Sequence, residues 1–241
     1  MPDKSSETQT LLKNSKYLEV TYSQQRAPFG EYPLLLSRHL MDNFYHKTGR
    51  LLDIGSGRGD FLDAFSQLGY DVMGTDVSPS AVSDIVRICN LECEDLPFDD
   101  NEFDFIFSKS VIEHLHSPHY FISGAFRVLK PGGIAVIMTP SWAHTYWGPF
   151  YIDHTHVTPY TIPSLTDVIQ IAGFEKITAQ YFYQLPVVWK NPCLKPIIRL
   201  FSALPFSYRP YEDANWPDSF NKLIRFSKEV MLLAVCKKPI P

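Results

Sequence analysis

Apolar segments of strand length alternate with amphipathic segments of helix length between residues 50 and 140. Four runs predict strands: RLLDI at 50–54, DVMGTD at 71–76, FDFIFS at 103–108 and GIAVIMT at 133–139. The intervening segments GDFLDAFSQLG, PSAVSDIVRI and SPHYFISGAFRVL have the length and periodicity of helices. Strands that alternate with helices in this way indicate βαβ crossovers, so we expect an α/β fold built on a parallel sheet.

Glycine and proline positions agree with the boundaries of these segments. Gly69 follows the first predicted helix, Pro79 suits the first turn of the second, and the sequence KPGG ends the third. Further along the chain, TIPSLTDVIQIAGFE predicts another helix that ends at Gly173. Strand-like segments follow at about 174–182 and 229–236.

The segment at 186–225 differs from the rest of the chain because prolines, aromatic residues and basic residues are concentrated there. We expect it to be a lid-like insertion in a single domain that spans 17–241, with its core at 48–182 and 226–238. The run PIIRLFSALPFSYRP combines apolar and basic residues, so contact with a membrane surface or a lipid-linked acceptor is the alternative to a packed lid. Residues 1–16 are polar and are expected to form a disordered tail.

The formal net charge of −4 narrows the range of partners. A nucleic-acid-binding protein usually presents a basic face, so this charge disfavours a nucleic-acid partner. The four cysteines form no C-x-x-C pair and are too few for a disulfide framework, which predicts reduced thiols in a cytoplasmic protein. The N-terminal segment lacks the apolar stretch of a signal peptide, and no apolar run reaches the roughly 18 residues of a membrane span. The oligomeric state stays open.

A glycine-rich stretch, LLDIGSGRGDF at 51–61, joins the first predicted strand to the first predicted helix. In that position, backbone N–H groups and a helix N-terminus can approach a ligand closely. A second acid, Asp76, ends the next predicted strand, where a carboxylate can accept the hydrogens of both ribose hydroxyls. Together these features indicate a cofactor that contains adenosine.

The glycine spacing argues against a dinucleotide as that cofactor. The residue that would complete G-x-G-x-x-G is Asp60, whose negative charge would face a pyrophosphate. Asp53, just before the first glycine, adds to the repulsion. S-adenosylmethionine has no phosphate and carries a cationic amino group and a sulfonium, so it fits this loop better.

Four motifs, LLDIGSGRGDF, GTDVSP, LECEDLPFDDNEFDFIFSKSVIEHL and RVLKPGGIAVIMTP, occur in this order over residues 48–140. This part of the chain resembles class I S-adenosylmethionine-dependent methyltransferases of the ubiquinone-biosynthesis-like group (methyltransferase type 11). The later run DHTHVTPYTIPSLTDVIQIAGF resembles a segment common in sugar, lipid and quinol methyltransferases of that group. The resemblance implies a Rossmann-like, doubly wound, seven-stranded and mostly parallel sheet with a final antiparallel strand. It also implies S-adenosylmethionine as methyl donor and S-adenosylhomocysteine as product.

The resemblance also implies where the methionine end and the ribose of the cofactor bind. The positions matching the methionine-binding loop are Asp53, Gly55, Ser56, Gly57 and Gly59. Asp53 would bind the amino group of the cofactor, and Asp76 would hold the ribose.

Four further positions match the adenine side of the cofactor site in such methyltransferases. Val77 would lie beside the adenine, and Glu92 would bind the adenine amino group. Cys93 would offer its backbone N–H to the ring, and Ser108 would end the strand whose following loop flanks cofactor and substrate.

Candidate bases for methyl transfer lie among the histidines of the segment at 114–156. In an extended DHTH segment, His154 and His156 would point to one face and Asp153 with Thr155 to the other. Three roles are open for the pair: a substrate-side base, a structural pair bonded to the loop backbone, or a metal site. Further metal ligands are not evident, so we expect no metal site. His114 is the alternative base.

We therefore expect an S-adenosylmethionine-dependent methyltransferase, acting on a hydroxyl of a small sugar, quinol, polyketide or lipid-linked acceptor. The Asn-Pro-Pro-aromatic motif of many base methyltransferases is absent after FDFIFS, which further disfavours nucleic acid. The alternatives are a non-catalytic cofactor-binding module and, with less support, a dinucleotide-dependent oxidoreductase.

Overall fold

A computed structural model describes residues 16, 17, 19–21, 23, 30–81, 83–206, 208 and 220–241 of the chain. The predicted tail at 1–16 lies outside the described residues except for Lys16. Residues 209–219, within the predicted insertion, also lie outside the described residues.

The centre of the fold is a seven-stranded sheet with the strand order β3-β2-β1-β4-β5-β7-β6. Its strands are β1 (Arg50–Ile54), β2 (Asp71–Asp76), β3 (Val86–Ile88), β4 (Phe103–Lys109), β5 (Leu129–Pro140), β6 (Glu175–Phe182) and β7 (Met231–Lys237). The last strand, β7, is antiparallel to both β5 and β6, and the other neighbouring pairs are parallel. The predicted doubly wound Rossmann-like sheet with a final antiparallel strand is confirmed.

Helices cover both faces of this sheet. They are α1 (Tyr32–Leu40), α2 (Asp60–Gln67), α3 (His119–Val128), α4 (Trp142–Thr145), α5 (Ile162–Ile171), α6 (Pro186–Lys190), α7 (Lys195–Ala203) and α8 (Phe220–Lys228). The predicted helices that follow the first, third and fourth strand-forming runs correspond to α2, α3 and α5, and their ends agree within a few residues.

Alternation along the strands divides the core between the two faces. In β1, Leu52 packs in a cluster with residues of α3 and α5, while its neighbour Leu51 packs in a second cluster with residues of α1 and α2. In β4, Ile106 and Phe107 divide in the same way. Side chains that alternate between faces explain why these strands are apolar throughout.

The predicted helix PSAVSDIVRI is wrong. The segment contains a 3-10 turn at Pro79–Ala81 and the short edge strand β3 at Val86–Ile88. Strand β3 pairs in parallel with β2, from Gly74 opposite Val86 onwards. The β-branched residues of the DIVRI run favour a strand, and pairing with the edge of β2 outweighs the helical spacing.

The sequence KPGG also has a different role from the one predicted. Helix α3 ends at Val128, and β5 begins at Leu129, so KPGG lies within the strand assignment instead of closing the helix. Gly132 has a φ of +76°, which lets the chain turn within this segment.

The segment between β6 and β7, predicted as a lid-like insertion, is mostly helical where it is described. It contains α6, a 3-10 turn at Pro192–Leu194, α7 and α8. Val188 of α6 lies in a small cluster with Tyr183, Leu185 and Val230, against which Ile198 of α7 packs. Among the described helices, none is long and apolar enough to cross a membrane.

Candidate cofactor and acceptor site

The loop after β1 lies where the order of the strands reverses, between β1 and β4. Parallel sheets bind ligands at the carboxyl ends of their strands at such a point. Backbone N–H groups of Gly55 and Ser56 both donate to the Thr75 carbonyl, at 2.8 and 2.9 Å. These bonds hold the loop against the end of β2 and place it at the start of α2.

The three glycines of this loop have left-handed backbone conformations, with φ of +79° at Gly55, +54° at Gly57 and +85° at Gly59. A Cβ atom at Gly55 would clash with Val111 Cγ2. A Cβ atom at Gly57 or Gly59 would meet no described atom within 4 Å. Gly55 is therefore required for packing, while the other two border open space in which a ligand can approach the backbone.

The carboxylate of Asp76 is oriented by two backbone donors. Oδ2 accepts from the N–H of Gly57 at 2.8 Å, and Oδ1 accepts from the N–H of Ser78 at 2.8 Å. Burial raises the pKa of Asp76, although the hydrogen bonds from Ser78 and Gly57 oppose that shift. Each oxygen keeps a further lone pair, so the carboxylate can still accept from a pair of ribose hydroxyls.

Asp53 is buried at the end of β1, and its Oδ2 has no hydrogen-bond partner within the described part of the chain. Burial, with a smaller contribution from Asp76, raises the pKa of Asp53 to about 8. A buried carboxylate without a partner is costly unless a cation or donor satisfies it. The amino group of S-adenosylmethionine is such a cation, so this position fits the cofactor.

Three other residues predicted to contact the cofactor, Ser56, Val77 and Ser108, differ in burial and in hydrogen bonding. The Oγ of Ser56 is buried without a partner among the described residues, whereas Val77 is exposed beside Asp76. The Ser108 hydroxyl donates to the Ile54 carbonyl at 2.9 Å, which links β4 to β1. That hydroxyl therefore positions the strands that carry the site.

Glu92 and Cys93 are engaged in local structure at the predicted adenine side. Glu92 Oε1 accepts from the backbone N–H of His116 at 2.8 Å. Partial burial alone would raise the pKa of Glu92, but hydrogen bonds from His116 and Ser117 lower it below its usual value. The N–H of Cys93 donates to the Asn90 carbonyl at 3.1 Å.

The expectation that His154 and His156 share a face is wrong. Residues 153–155 form a turn in which Asp153 Oδ1 accepts from both the N–H and the hydroxyl of Thr155. The His154 side chain is 82% exposed, whereas that of His156 is 12% exposed. An Asx-type turn replaces the extended conformation on which the alternation depended.

The turn brings His156 next to His114, which follows β4. Their ring centroids lie 4.7 Å apart. Glu113, fully buried, has its Oε1 3.9 Å from His156 Nε2, while its Oε2 accepts from the Thr139 hydroxyl at 2.9 Å. The sequence placed both histidines among the candidates but not Glu113, for which the available signal was an acid directly after the apolar pair Val111 and Ile112.

Burial shifts the proton affinities in this cluster. It lowers the pKa of His114 to about 4, helped by the neighbouring His156, and it lowers the pKa of His156 as well. Burial raises the pKa of Glu113 to about 7. Both imidazoles are therefore neutral near pH 7 and can accept a proton or ligate a cation through a free nitrogen.

A cavity of about 430 Å³ lies between the aromatic loop after β5 and the segment after α7. Its lining residues are Trp147, Gly148, Pro149, Ile152, Pro205, Phe206, Tyr208 and Lys228. The walls are mostly aromatic and aliphatic, with one ammonium group. A flat apolar ligand that carries an anionic or polar group would match this lining.

Comparison with known proteins adds a family assignment to this geometry. A family model described as a methyltransferase domain matches residues 23–179. A ubiquinone biosynthesis O-methyltransferase of Cereibacter sphaeroides is 29% identical over 163 residues, which cover 58% of this chain and 66% of that protein. The chain spans about half to two thirds of the length of the first curated relatives it matches.

Solved structures share the fold. A chain in the complex between the Haloferax volcanii Trm112 methyltransferase activator and a methyltransferase superposes with a TM-score of 0.66. It is 17% identical and covers 96% of this chain and 98% of its own. A SAM-dependent methyltransferase from Archaeoglobus fulgidus gives a TM-score of 0.60 at 18% identity, covering 90% of this chain and 98% of its own. The resemblance predicted from the motifs is confirmed.

Proposed function

We propose that this chain, which belongs to the methyltransferase domain family, transfers a methyl group from S-adenosylmethionine. The proposed acceptor group is a hydroxyl of a small molecule. The observation that carries the proposal is the cradle after β1. There Gly57 and Gly59 border open space, Asp76 is held in place by two N–H groups, and Asp53 is buried without a described partner.

The cofactor supplies a methyl group that its sulfonium already activates, so the protein mainly has to align the acceptor with it. Asp53 would neutralise the amino group of the cofactor, and Asp76 would bind both ribose hydroxyls. Val77 would pack on the adenine. Glu92 and Cys93 would border the adenine, and Ser108 would fix the strand beside it.

The acceptor hydroxyl has to lose a proton when its oxygen forms the new bond. We assign this proton release to the cluster of His114 and His156 beside Glu113. Support comes from the 4.7 Å separation of the two rings and from burial, which keeps both imidazoles neutral. His154, the third histidine that the sequence offered as a base, is not assigned this role because its side chain faces solvent.

The chemistry of the cavity supports an apolar acceptor. Trp147, Ile152 and Phe206 line it, and Lys228 is its basic residue. We propose a quinol, polyketide or lipid-linked acceptor in preference to a sugar, because a sugar needs many polar partners.

The outer surface of the segment at 186–225 supports contact with an anionic membrane. Ile197 and Leu200 of α7 and Leu204 just after it are 61%, 70% and 39% exposed. No acidic residue occurs from 176 to 211, whereas basic residues do. An exposed apolar stripe beside basic residues suits anionic lipid headgroups.

Two measurements test the methyltransferase proposal. Calorimetry should show micromolar binding of S-adenosylmethionine and S-adenosylhomocysteine and no binding of nicotinamide dinucleotides. Labelled methyl should then appear on a quinol or phenolic acceptor from a broad panel. Dinucleotide binding would favour an oxidoreductase, and cofactor binding without transfer to any acceptor would favour a non-catalytic module.

Three variants separate the histidines in the transfer assay. His114→Ala and His156→Ala should each lower the transfer rate by about 100-fold or more. His154→Ala, a matched substitution two residues from His156, should leave the rate unchanged. Loss of transfer in His154→Ala alone would overturn the assignment of proton release to the buried cluster.

A further inference from the structure

Three side chains converge on one point from two separate segments of the chain. Glu113 and His114 follow β4, and His156 belongs to the loop that precedes α5. One oxygen or nitrogen atom from each of the three lies within 4.8 Å of the corresponding atoms of the other two. Two imidazoles and one carboxylate on a single point form a recognised donor set for first-row transition metals.

The hydrogen bonds of His156 determine which of its nitrogens is available. Its Nδ1 lies 2.6 Å from the Phe150 carbonyl, which can only accept, so Nδ1 carries the hydrogen. The lone pair is therefore on Nε2, the atom that lies 3.9 Å from Glu113 Oε1. A backbone carbonyl that accepts from the other nitrogen is the usual support of a metal-binding histidine.

His114 has a comparable support. Its Nδ1 lies 2.8 Å from the Thr155 hydroxyl oxygen, and that hydroxyl donates its own hydrogen to Asp153 Oδ1 at 2.6 Å. The Thr155 oxygen must then accept from Nδ1, which leaves the lone pair on Nε2 of His114. Asp153 is held in turn by the hydroxyl of Tyr17, which donates to its Oδ2 at 2.6 Å. The hydrogen bonds from the Asp153 carboxylate through the Thr155 hydroxyl to the His114 imidazole fix both the tautomer and the orientation of the ring.

Glu113 supplies the oxygen donor. The residue is fully buried, and its Oε2 accepts from Thr139, but its Oε1 has no hydrogen-bond partner within the described part of the chain. A buried carboxylate oxygen without a partner calls for an explanation, and a bound cation is one of the standard ones. The orphan oxygen is also the one that faces His156.

We propose that Glu113, His114 and His156 form a binding site for a divalent transition-metal ion of the Zn²⁺ type, held through Glu113 Oε1 and the Nε2 atoms of both histidines. Bonds of about 2.0–2.2 Å to such an ion would need the donors to move together by roughly 1 Å, within the reach of side-chain rotation. Two nitrogen ligands favour Zn²⁺ or Co²⁺ over Mg²⁺ and Ca²⁺, which prefer oxygen. This proposal replaces the expectation from the sequence that the chain has no metal site.

Three protein ligands leave a coordination position open on a tetrahedral ion. In the reaction proposed above, on which this consequence rests, an acceptor hydroxyl bound there would lose its proton more readily, since a bound Zn²⁺ lowers the pKa of a coordinated oxygen acid. His114 and His156 would then promote proton release as metal ligands instead of accepting the proton themselves, and the proton would leave to solvent. The metal site itself does not depend on that reaction.

The test measures metal binding directly, on the full chain treated with a chelator and without any acceptor. Calorimetric titration with Zn²⁺ should show one ion per chain, and titration with Co²⁺ should give the visible absorption of a nitrogen- and oxygen-ligated ion. Titration with Mg²⁺ under the same conditions should give no binding. Absence of stoichiometric Zn²⁺ and Co²⁺ binding in the wild type would overturn the site.

Variants identify the ligands. His156→Ala should weaken Zn²⁺ binding by roughly 100-fold or more, because even the loss of a supporting contact costs about 10- to 100-fold. His154→Ala is the matched control and should bind like the wild type. Glu113 is fully buried, so Glu113→Gln can disturb folding; Thr155→Val is a milder substitution that keeps all three ligands and should cost about 10-fold. Equal Zn²⁺ affinity in wild type and His156→Ala would overturn the proposal.

Binding of S-adenosylmethionine to each variant serves as the folding control. Methyl transfer that persists after removal of the metal would contradict the role of the ion while leaving the methyltransferase proposal intact. Stoichiometric Zn²⁺ binding that fails in His156→Ala would support the site even where no acceptor is methylated. The two proposals can therefore fail separately.

Discussion

The carboxylate of Asp76 accepts a hydrogen bond from the backbone N–H of Gly57 across 2.8 Å, although 18 residues separate the two positions in the sequence. This contact links the end of β2 to the glycine loop after β1. It keeps the carboxylate next to Gly57, which borders open space where the ribose of the cofactor would lie.

Asp76→Ala should weaken S-adenosylmethionine binding by about 10- to 150-fold, the equivalent of one charge-assisted hydrogen bond of about 1.5–3 kcal/mol. The measurement is calorimetric titration with the cofactor and with S-adenosylhomocysteine. Asp71→Ala, at the exposed start of the same strand, is the control and should bind normally. Unchanged affinity in Asp76→Ala would contradict the ribose assignment.

The glycines of the loop should respond differently to the same substitution. Gly55→Ala introduces a clash with Val111 and should lower the free energy of unfolding by about 1–3 kcal/mol. Gly57→Ala carries a similar backbone strain but points into open space, so it should weaken cofactor binding as well. Thermal unfolding with and without cofactor measures both effects. Equal cofactor affinity in wild type and Gly57→Ala would place the ligand elsewhere.

Stability in the absence of cofactor should depend on Asp53. Its pKa in the folded protein is raised to about 8, so between about pH 4 and that value the folded state holds a proton that the unfolded chain has released. The free energy of unfolding therefore falls as the pH rises through this window. At pH 8, Asp53→Asn should be more stable than the wild type by about 1–3 kcal/mol, because it removes a buried charge.

Chemical denaturation of wild type and Asp53→Asn at pH 5 and pH 8 checks this prediction. The difference between the two proteins should be larger at pH 8. Asp71→Asn, at an exposed position, controls for the change in net charge. Saturating S-adenosylmethionine should stabilise the wild type more than Asp53→Asn at pH 8, since only the wild type offers a carboxylate to the amino group.

Helix α7 provides a prediction about membrane contact. Leu200→Glu should weaken binding to vesicles that contain anionic lipid by about 10- to 150-fold, measured by co-sedimentation, because it removes roughly 1.5–3 kcal/mol of apolar burial. Ile171→Glu is a matched control on α5, where Ile171 is 86% exposed. Neutral vesicles should bind the wild type weakly. Equal binding of both variants to anionic vesicles would show that α7 is not the contact.

Local patterns along the chain determined the central strands and the glycine loop of this protein. The runs RLLDI and DVMGTD predicted β1 and β2 with their exact ends, because strands inside a parallel sheet bury most of their residues. The glycine loop and Asp76 were equally predictable, since they lie within or directly after these strands. The alternation of strands and helices predicted a parallel α/β sheet, and the family resemblance implied its seven strands with a final antiparallel one.

Only the tertiary structure decided the edge strand and the buried cluster. Strand β3 forms because the edge of β2 offers hydrogen bonds to a segment whose own spacing also suits a helix. His156 meets His114 across 42 positions in the sequence because a turn at Asp153 reverses the chain, which leaves His154 in solvent. Periodicity records which face of an element is buried. It carries no information about which loops meet at the end of a sheet, and Glu113 owes its position beside the two histidines to that meeting.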